Sequence, residues 1–253
     1  MTVTAQDFDL DTARAELAAS LRWAARLGLH EGVDNHFSMA VPGPDGTRNG
    51  ERFLINPYGH HWSEVTASSL VLCDAEGNVL EGDNEVEATA FYIHSRIHVN
   101  VPSAVVVMHT HMPYATSLTL LEGGRLEMCE QNALMFDERI AYDDEYDGLA
   151  LDAAEGDRMA ARMGNRNVLF LASHGVVVTG DSVARAFTEL YYLERAAMFQ
   201  VHARSTHAKL RSISDSVREK TRQQMADELP SLSDRHFTAL MRILDREEPE
   251  YRH

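Results

Sequence analysis

The sequence is short of cysteine, of long apolar runs and of positive charge. Its two cysteines, Cys73 and Cys129, stand far apart with no CxxC pair. No disulfide framework is expected, and the chain reads as one kept reduced in the cytoplasm. No apolar stretch approaches the ~20 residues that span a bilayer. The opening residues, MTVTAQDFDLDTARAEL, carry neither the basic region nor the apolar core of a signal peptide. Only 23 basic residues face 39 acidic ones, for a net charge of −16. Such a surface repels phosphate backbones and anionic lipid, so neither nucleic acid nor a membrane is expected as a partner. A small anionic substrate is still allowed, because the field inside a cleft can oppose the global charge. Repeats, low-complexity segments and a clear linker are also lacking.

What is present suits one large α/β domain: 253 residues, 44% of them hydrophobic. Apolar positions at helical spacing predict a helix over 10–29, broken by Gly28 and Gly32. NHFSMAVPGPDGT reads as a strand and turn, RFLINPYG as a second strand, and SLVLCDAEGNVLEG as a hairpin. A helix is expected over 85–99, then the strand SAVVVMHTH. NVLFLASHGVVVTG gives two strands around a tight break at Ser173-His174-Gly175. A long helix follows from Ser182 to about Ser205. Two further helices, 215–228 and 234–247, are expected on either side of Pro230, packing outside the core as a charged arm. Strands in a clump with helices before, between and after imply a mostly antiparallel sheet covered by helices.

The chemistry concentrates in histidine. Side chains alternate faces along a strand, so His109 and His111 point the same way from a strand end. Two imidazoles so placed can share a metal ion at about 2.0–2.1 Å per bond if it is zinc. The best third ligand is His174, a polar residue at a strand break in an otherwise apolar stretch. Three histidines with an open position make a catalytic rather than a structural site. An HxH pair alone also fits two hydrogen-bonded or exposed histidines; His174 in its setting favours the metal. His94 and His98 are spaced i, i+4 on a helix, but HSRIH lacks the glutamate of a metalloprotease helix. His94 is expected near the site or under the sheet and His98 exposed. His60 and His61 suit a pocket or a plain surface equally. His202, His207, His236 and His253 are expected in solvent.

Three stretches, FLINPYGHHWSEVTASSLVLCDAEGNVLEGD, AVVVMHTHMPYA and LFLASHGVVVTGDSVARAFTELYYLE, together resemble the class II aldolase/adducin family. The family includes sugar-phosphate aldolases, an epimerase, a dehydratase and the head domain of adducin. The resemblance covers about residues 12–205. It implies a single three-layer α/β/α domain with a largely antiparallel sheet, here 1–210, followed by a helical extension over 211–253. It also implies a zinc ion, or Mn²⁺, Fe²⁺, Co²⁺ or Ni²⁺, held by His109, His111 and His174. Such an ion polarises a carbonyl or enediolate so that a neighbouring bond breaks or forms. A small-molecule substrate and a homo-oligomer, by family habit a tetramer with sites at subunit interfaces, are further implications.

The chain departs from the aldolase pattern. The aldolases carry a glutamate acid/base four residues before the helix histidine that matches His94; here that position is Ala90. Glu87 could reach the site only if the helix begins differently, and it otherwise reads as a solvated acid favoured by the helix dipole. Tyr114, Glu130 and His36 are the other proton-handling candidates. Tyr114 equally suits a packing role and Glu130 a loop. The phosphate-binding loops are altered to Asp34-Asn35-His36 and Tyr58-Gly59. Asn35, His36, Tyr58, Gly59 and His94 are therefore taken as substrate-binding residues for something other than a sugar phosphate. Tyr251 could close a neighbour's site or lie in a loose tail. The expectation is a metal-dependent lyase cleaving a C–C bond, by aldol cleavage or decarboxylation, in a hydroxy- or keto-acid. The alternatives are an epimerase or dehydratase of the same family, and a non-catalytic adducin-like module.

Overall fold

The computed structural model describes residues 8–253. Its centre is one eight-stranded sheet built from β1 (His36–Ala40), β2 (Arg52–Ile55), β3 (Val71–Asp74), β4 (Val79–Glu81), β5 (Val106–Thr110), β6 (Ile140–Asp143), β7 (Val168–Leu171) and β8 (Gly175–Gly180). The spatial order is β4-β3-β2-β1-β5-β8-β7-β6. Every pairing is antiparallel except β6 with β7. That parallel pair is joined through α4 (Ala153–Met163), as a parallel connection requires.

Period-two alternation assigns the two faces. Phe37 and Met39 of β1, and Val106 and Met108 of β5, face the larger core layer. That layer contains α1 (Leu10–Arg26), α3 (Pro113–Thr119), α5 (Val183–Ser205) and α6 (Asp215–Glu247). Val107, Leu169 and Val177 face the other side, where α2 (Ala88–Asn100) and α4 supply Ile93, Ile97, Met159 and Met163. Three polar residues of β1 and β5, His36, Ser38 and His109, therefore come out on the α2 side of the sheet. Helix α4 packs on α2 at close range: a Cβ on Gly156 would meet the Tyr92 carbonyl at 2.3 Å.

The helical tail differs from its expectation. Pro230 does not divide it: α6 runs unbroken for 33 residues with the proline inside. Nor does the tail stand off as an arm, since Leu229, Phe237, Leu244 and Tyr251 are buried in the main core. Tyr251 is 0% exposed and its hydroxyl donates to Asp245 at 2.9 Å, so it closes its own chain's core. The apolar stripe of α6 outweighs the loss of one backbone hydrogen bond. Both cysteines are free, and burial pushes the Cys73 thiol up to about 12, leaving it inert. Among the described residues no helix is long and apolar enough to cross a membrane.

Candidate metal centre

His109 is the penultimate residue of β5 and is paired with His36 on β1 and with Val177 on β8. His111 follows just past the strand end. His174 comes from the three-residue break between β7 and β8, where Ser173 takes a left-handed φ of 56° and donates its N–H to the Thr119 carbonyl at 3.1 Å. Non-glycine residues in that conformation cluster at functional sites. Gly175 lets the two histidine-bearing segments meet: a Cβ there would stand 2.5 Å from the Thr110 carbonyl oxygen and 2.7 Å from His111 Cδ2.

The result is a convergent triad. Ring centroids of His109 and His111 are 5.1 Å apart, His109 and His174 4.7 Å, His111 and His174 4.9 Å. One ring nitrogen from each lies within 4.8 Å of the others. The donors fit a divalent ion on three further observations. His109 Nδ1 donates to the Val176 carbonyl at 3.0 Å, which leaves Nε2 as a free lone pair in the geometry metal-binding imidazoles use. His111 Nε2 is buried with no hydrogen-bond partner. Burial also holds all three imidazoles neutral, the ligand form. It takes His109 well below the usual histidine value, lowers His111, and, with His111 beside it, brings His174 to about 4.

The triad lines a cavity of about 470 Å³ together with Asp34, His36, Tyr58, Glu87, Thr89, Ile93, Tyr146, Gly148, Leu149, Ala150 and Ser173. Glu87 is there because α2 starts at Ala88, later than expected. Glu87 is its N-cap rather than a first-turn acid on the surface. Its Oε2 accepts the Ala90 N–H at 2.8 Å and the Thr89 hydroxyl. Both bonds fall on Oε2, so Oε1 takes neither, and Glu87 forms part of the cavity lining. Burial alone would raise this carboxyl, but the Thr89 and Ala90 bonds and nearby His36 hold it below the usual glutamate range. Moving the helix start thus returns a carboxylate to the site, although position 90 is alanine.

The other expected residues divide. His36 and Tyr58 line the cavity. His94 lies behind it, fully buried, with Nε2 3.1 Å from His36 Nδ1. Asn35 is also behind the wall: its Oδ1 accepts from the N–H of Glu31 at 2.8 Å and of His111 at 3.1 Å, pinning the loop to the strand end. Gly59 has φ 76° and serves the turn after Tyr58. Tyr114 and Glu130 are not brought to the triad. The Tyr114 hydroxyl lies 3.3 Å from His202 Nε2, and Glu130 caps the short helix at Ala133–Phe136 through the N–H groups of Asn132 and Ala133. His98, expected in solvent, is 2% exposed, because Ser38 on β1 takes its Nε2 at 2.7 Å. His236 is half-buried against Thr188 rather than solvated. Tyr146 and Leu149 entered the site without any motif to mark them, whereas Ser173 belongs to the break already read around His174.

The defining pattern of the Class II Aldolase and Adducin N-terminal domain matches residues 15–201. The chain belongs to the class II aldolase and adducin family. A Caulobacter vibrioides protein, named provisionally as a class 2 aldolase, is 33% identical over 94% of this chain and 91% of its own length. An aldolase II superfamily protein from Pseudomonas syringae has a crystal structure that superposes at a TM-score of 0.87, with 33% identity over 98% of each chain. Rat alpha-adducin is 33% identical over 74% of this chain, which matches only 25% of that longer protein. As class II aldolase-like folds go, the architecture is the expected one: a single, mostly antiparallel sheet with helices on both sides.

Proposed function

We propose that this family member is a divalent-metal-dependent lyase that cleaves a C–C bond, by aldol cleavage or decarboxylation, in a small hydroxy- or keto-acid. The observation that carries the reading is one cavity holding both a bare three-imidazole donor set and an ionised glutamate. His109, His111 and His174 would hold Zn²⁺, or Mn²⁺, Fe²⁺, Co²⁺ or Ni²⁺ in its place. Bound there, the ion supplies a Lewis acid that stabilises negative charge on a substrate oxygen.

The chain's own groups do the rest. Glu87 Oε1 is the carboxylate oxygen open to the substrate, and it takes or returns a proton there. Tyr58, Tyr146 and Leu149 border the cavity mouth but stay largely exposed in a single chain, so they would shed water around the reacting carbon only once a second copy covers them. Among the described residues no lysine or arginine lines the cavity, and Asp34 and Glu87 add negative charge. A phosphate dianion finds no cationic partner in such a lining, which supports an unphosphorylated acid bound through the metal. The exposed Leu120, Leu121, Leu149, Leu151 and Tyr146 are apolar side chains that a second copy would cover, in keeping with an oligomer.

The test is to load the protein with Zn²⁺ or Mn²⁺ and screen hydroxy- and keto-acids for CO₂ or aldehyde release. Glu87→Gln should bind metal normally and lose turnover. An isomer or dehydrated ketone as product would move the reading to an epimerase or dehydratase. A chain that binds no metal would favour the non-catalytic role, a reading supported by the similarity to alpha-adducin.

A further inference from the structure

Behind the cavity wall runs a line of four buried polar side chains that the proposed chemistry does not use. It begins at the Ala104 carbonyl, which faces His98 Nδ1 at 2.8 Å. His98 Nε2 faces Ser38 Oγ at 2.7 Å, Ser38 Oγ faces His94 Nδ1, and His94 Nε2 faces His36 Nδ1 at 3.1 Å. His36, His94, Ser38 and His98 are each no more than 3% exposed, so water cannot reverse any link. His36 ends the line at the cavity, where its ring stacks on His109 at a centroid distance of 5.0 Å.

A carbonyl oxygen can only accept, and this fixes every proton in the line. His98 donates from Nδ1 to Ala104, so its Nε2 is a lone pair. The Ser38 hydroxyl must donate to that lone pair, so its oxygen accepts from His94 Nδ1–H. His94 Nε2 is then bare and accepts from His36 Nδ1–H. The nitrogen left for the cavity is His36 Nε2, without a proton. No other placement satisfies all four links with neutral rings. His36 is not part of the metal donor group, so its lone pair is available to a ligand.

We propose that His36 is a specificity-determining residue: locked as the Nδ1–H tautomer, it accepts a hydrogen bond from a hydroxyl of the acid bound in the cavity. Ser38, His94 and His98 act as positioning residues that set its tautomer. Substrates with a hydroxyl donor beside the carboxylate are favoured over those without one, because an unpaired acceptor in a closed site costs binding. The identity of the ligand rests on the lyase reading; the tautomer does not.

The test uses ¹⁵N NMR of histidine side chains in the metal-free and zinc-loaded protein, with His36 assigned by its absence in His36→Gln. The expected spectrum has His36 protonated on Nδ1 and bare on Nε2, with a second tautomer emerging in Ser38→Ala. Glycolate and acetate, titrated into the zinc-loaded protein, probe the consequence. Wild type should prefer glycolate, and Ser38→Ala should lose roughly 3- to 10-fold of that preference. A wild-type His36 protonated on Nε2 overturns the proposal whatever the variants do, and this arm stands even if Ser38→Ala fails to fold. An unchanged glycolate preference in a well-folded Ser38→Ala overturns the specificity role. A correct tautomer in a protein with no lyase activity leaves this inference standing and removes only the reading of the reaction.

Discussion

Replacing Glu87 by alanine should destabilise the protein by about 1 kcal/mol, within a range of roughly 0.5–2. Glu87 caps α2: its carboxylate takes the Ala90 N–H at 2.8 Å, one of the donors that a helix start leaves without an internal partner. Alanine removes that acceptor. The Thr89 hydroxyl loses its partner too, but Thr89 is only half-buried and water replaces it. For a chain of this size 1 kcal/mol corresponds to a fall of about 2–4 °C in the melting midpoint. Glu87→Gln keeps a carbonyl acceptor and should lose less. The measurement is thermal unfolding of metal-free wild type, Glu87→Ala and Glu87→Gln at pH 7, followed by circular dichroism. The metal must be absent, because a ligand of the folded state would mask the difference. The pH dependence has a definite sign. The Glu87 carboxyl is held below its ordinary value of 4.5 in the folded state. Its stabilisation is therefore full above about 4.5 and disappears as the pH falls through the lower folded value. The gap between wild type and Glu87→Ala should close below that point. An alanine variant as stable as wild type at pH 7, or a gap that persists at low pH, would refute the capping geometry that brings Glu87 into the cavity.

Other groups give independent checks. Pro230 is exposed within α6 and cannot donate a backbone hydrogen bond, so Pro230→Ala should stabilise the protein by roughly 1–3 kcal/mol in urea unfolding; a loss of stability would mean that the proline is shaping a bend the core needs. Glu194 accepts the N–H groups of Tyr114 and Ala115, both at 2.8 Å, yet burial pushes its carboxyl up to about 7. A raised acid favours folding below its ordinary 4.5, and that advantage is lost as the pH climbs towards 7. Glu194→Gln should therefore gain on wild type across that interval, by up to about 3 kcal/mol. Parallel pH–stability curves for the two proteins would contradict this.

The parts of the molecule that were legible in the sequence are those governed by short-range rules. Alternation along β5 put His109 and His111 on one side, and the apolar run on either side of Ser173-His174-Gly175 marked His174 as out of place. Boundaries were less legible, and one of them mattered. Glu87 stands either on a helix or at its cap depending on a start that shifts by three residues, and only the cap position reaches the cavity. His98 was misplaced for a different reason: its partner Ser38 lies 60 residues earlier, on a strand that pairs with β5. No local pattern records such a contact. The tail shows tertiary structure overriding a local rule. Pro230 is a helix breaker by propensity, but Leu229, Phe237 and Leu244 fall on one buried stripe that is kept only if the helix continues. Tyr146 and Leu149 reach the cavity from a loop with no periodic signal at all.

The most direct test of the account is elemental analysis of wild type beside His174→Ala, each incubated with Zn²⁺ and freed of excess by gel filtration. The three-imidazole centre predicts about one ion per chain in the wild type and almost none in the variant, because two remaining histidines hold zinc weakly. A wild type without metal, or a His174→Ala protein that keeps a full complement, would contradict it.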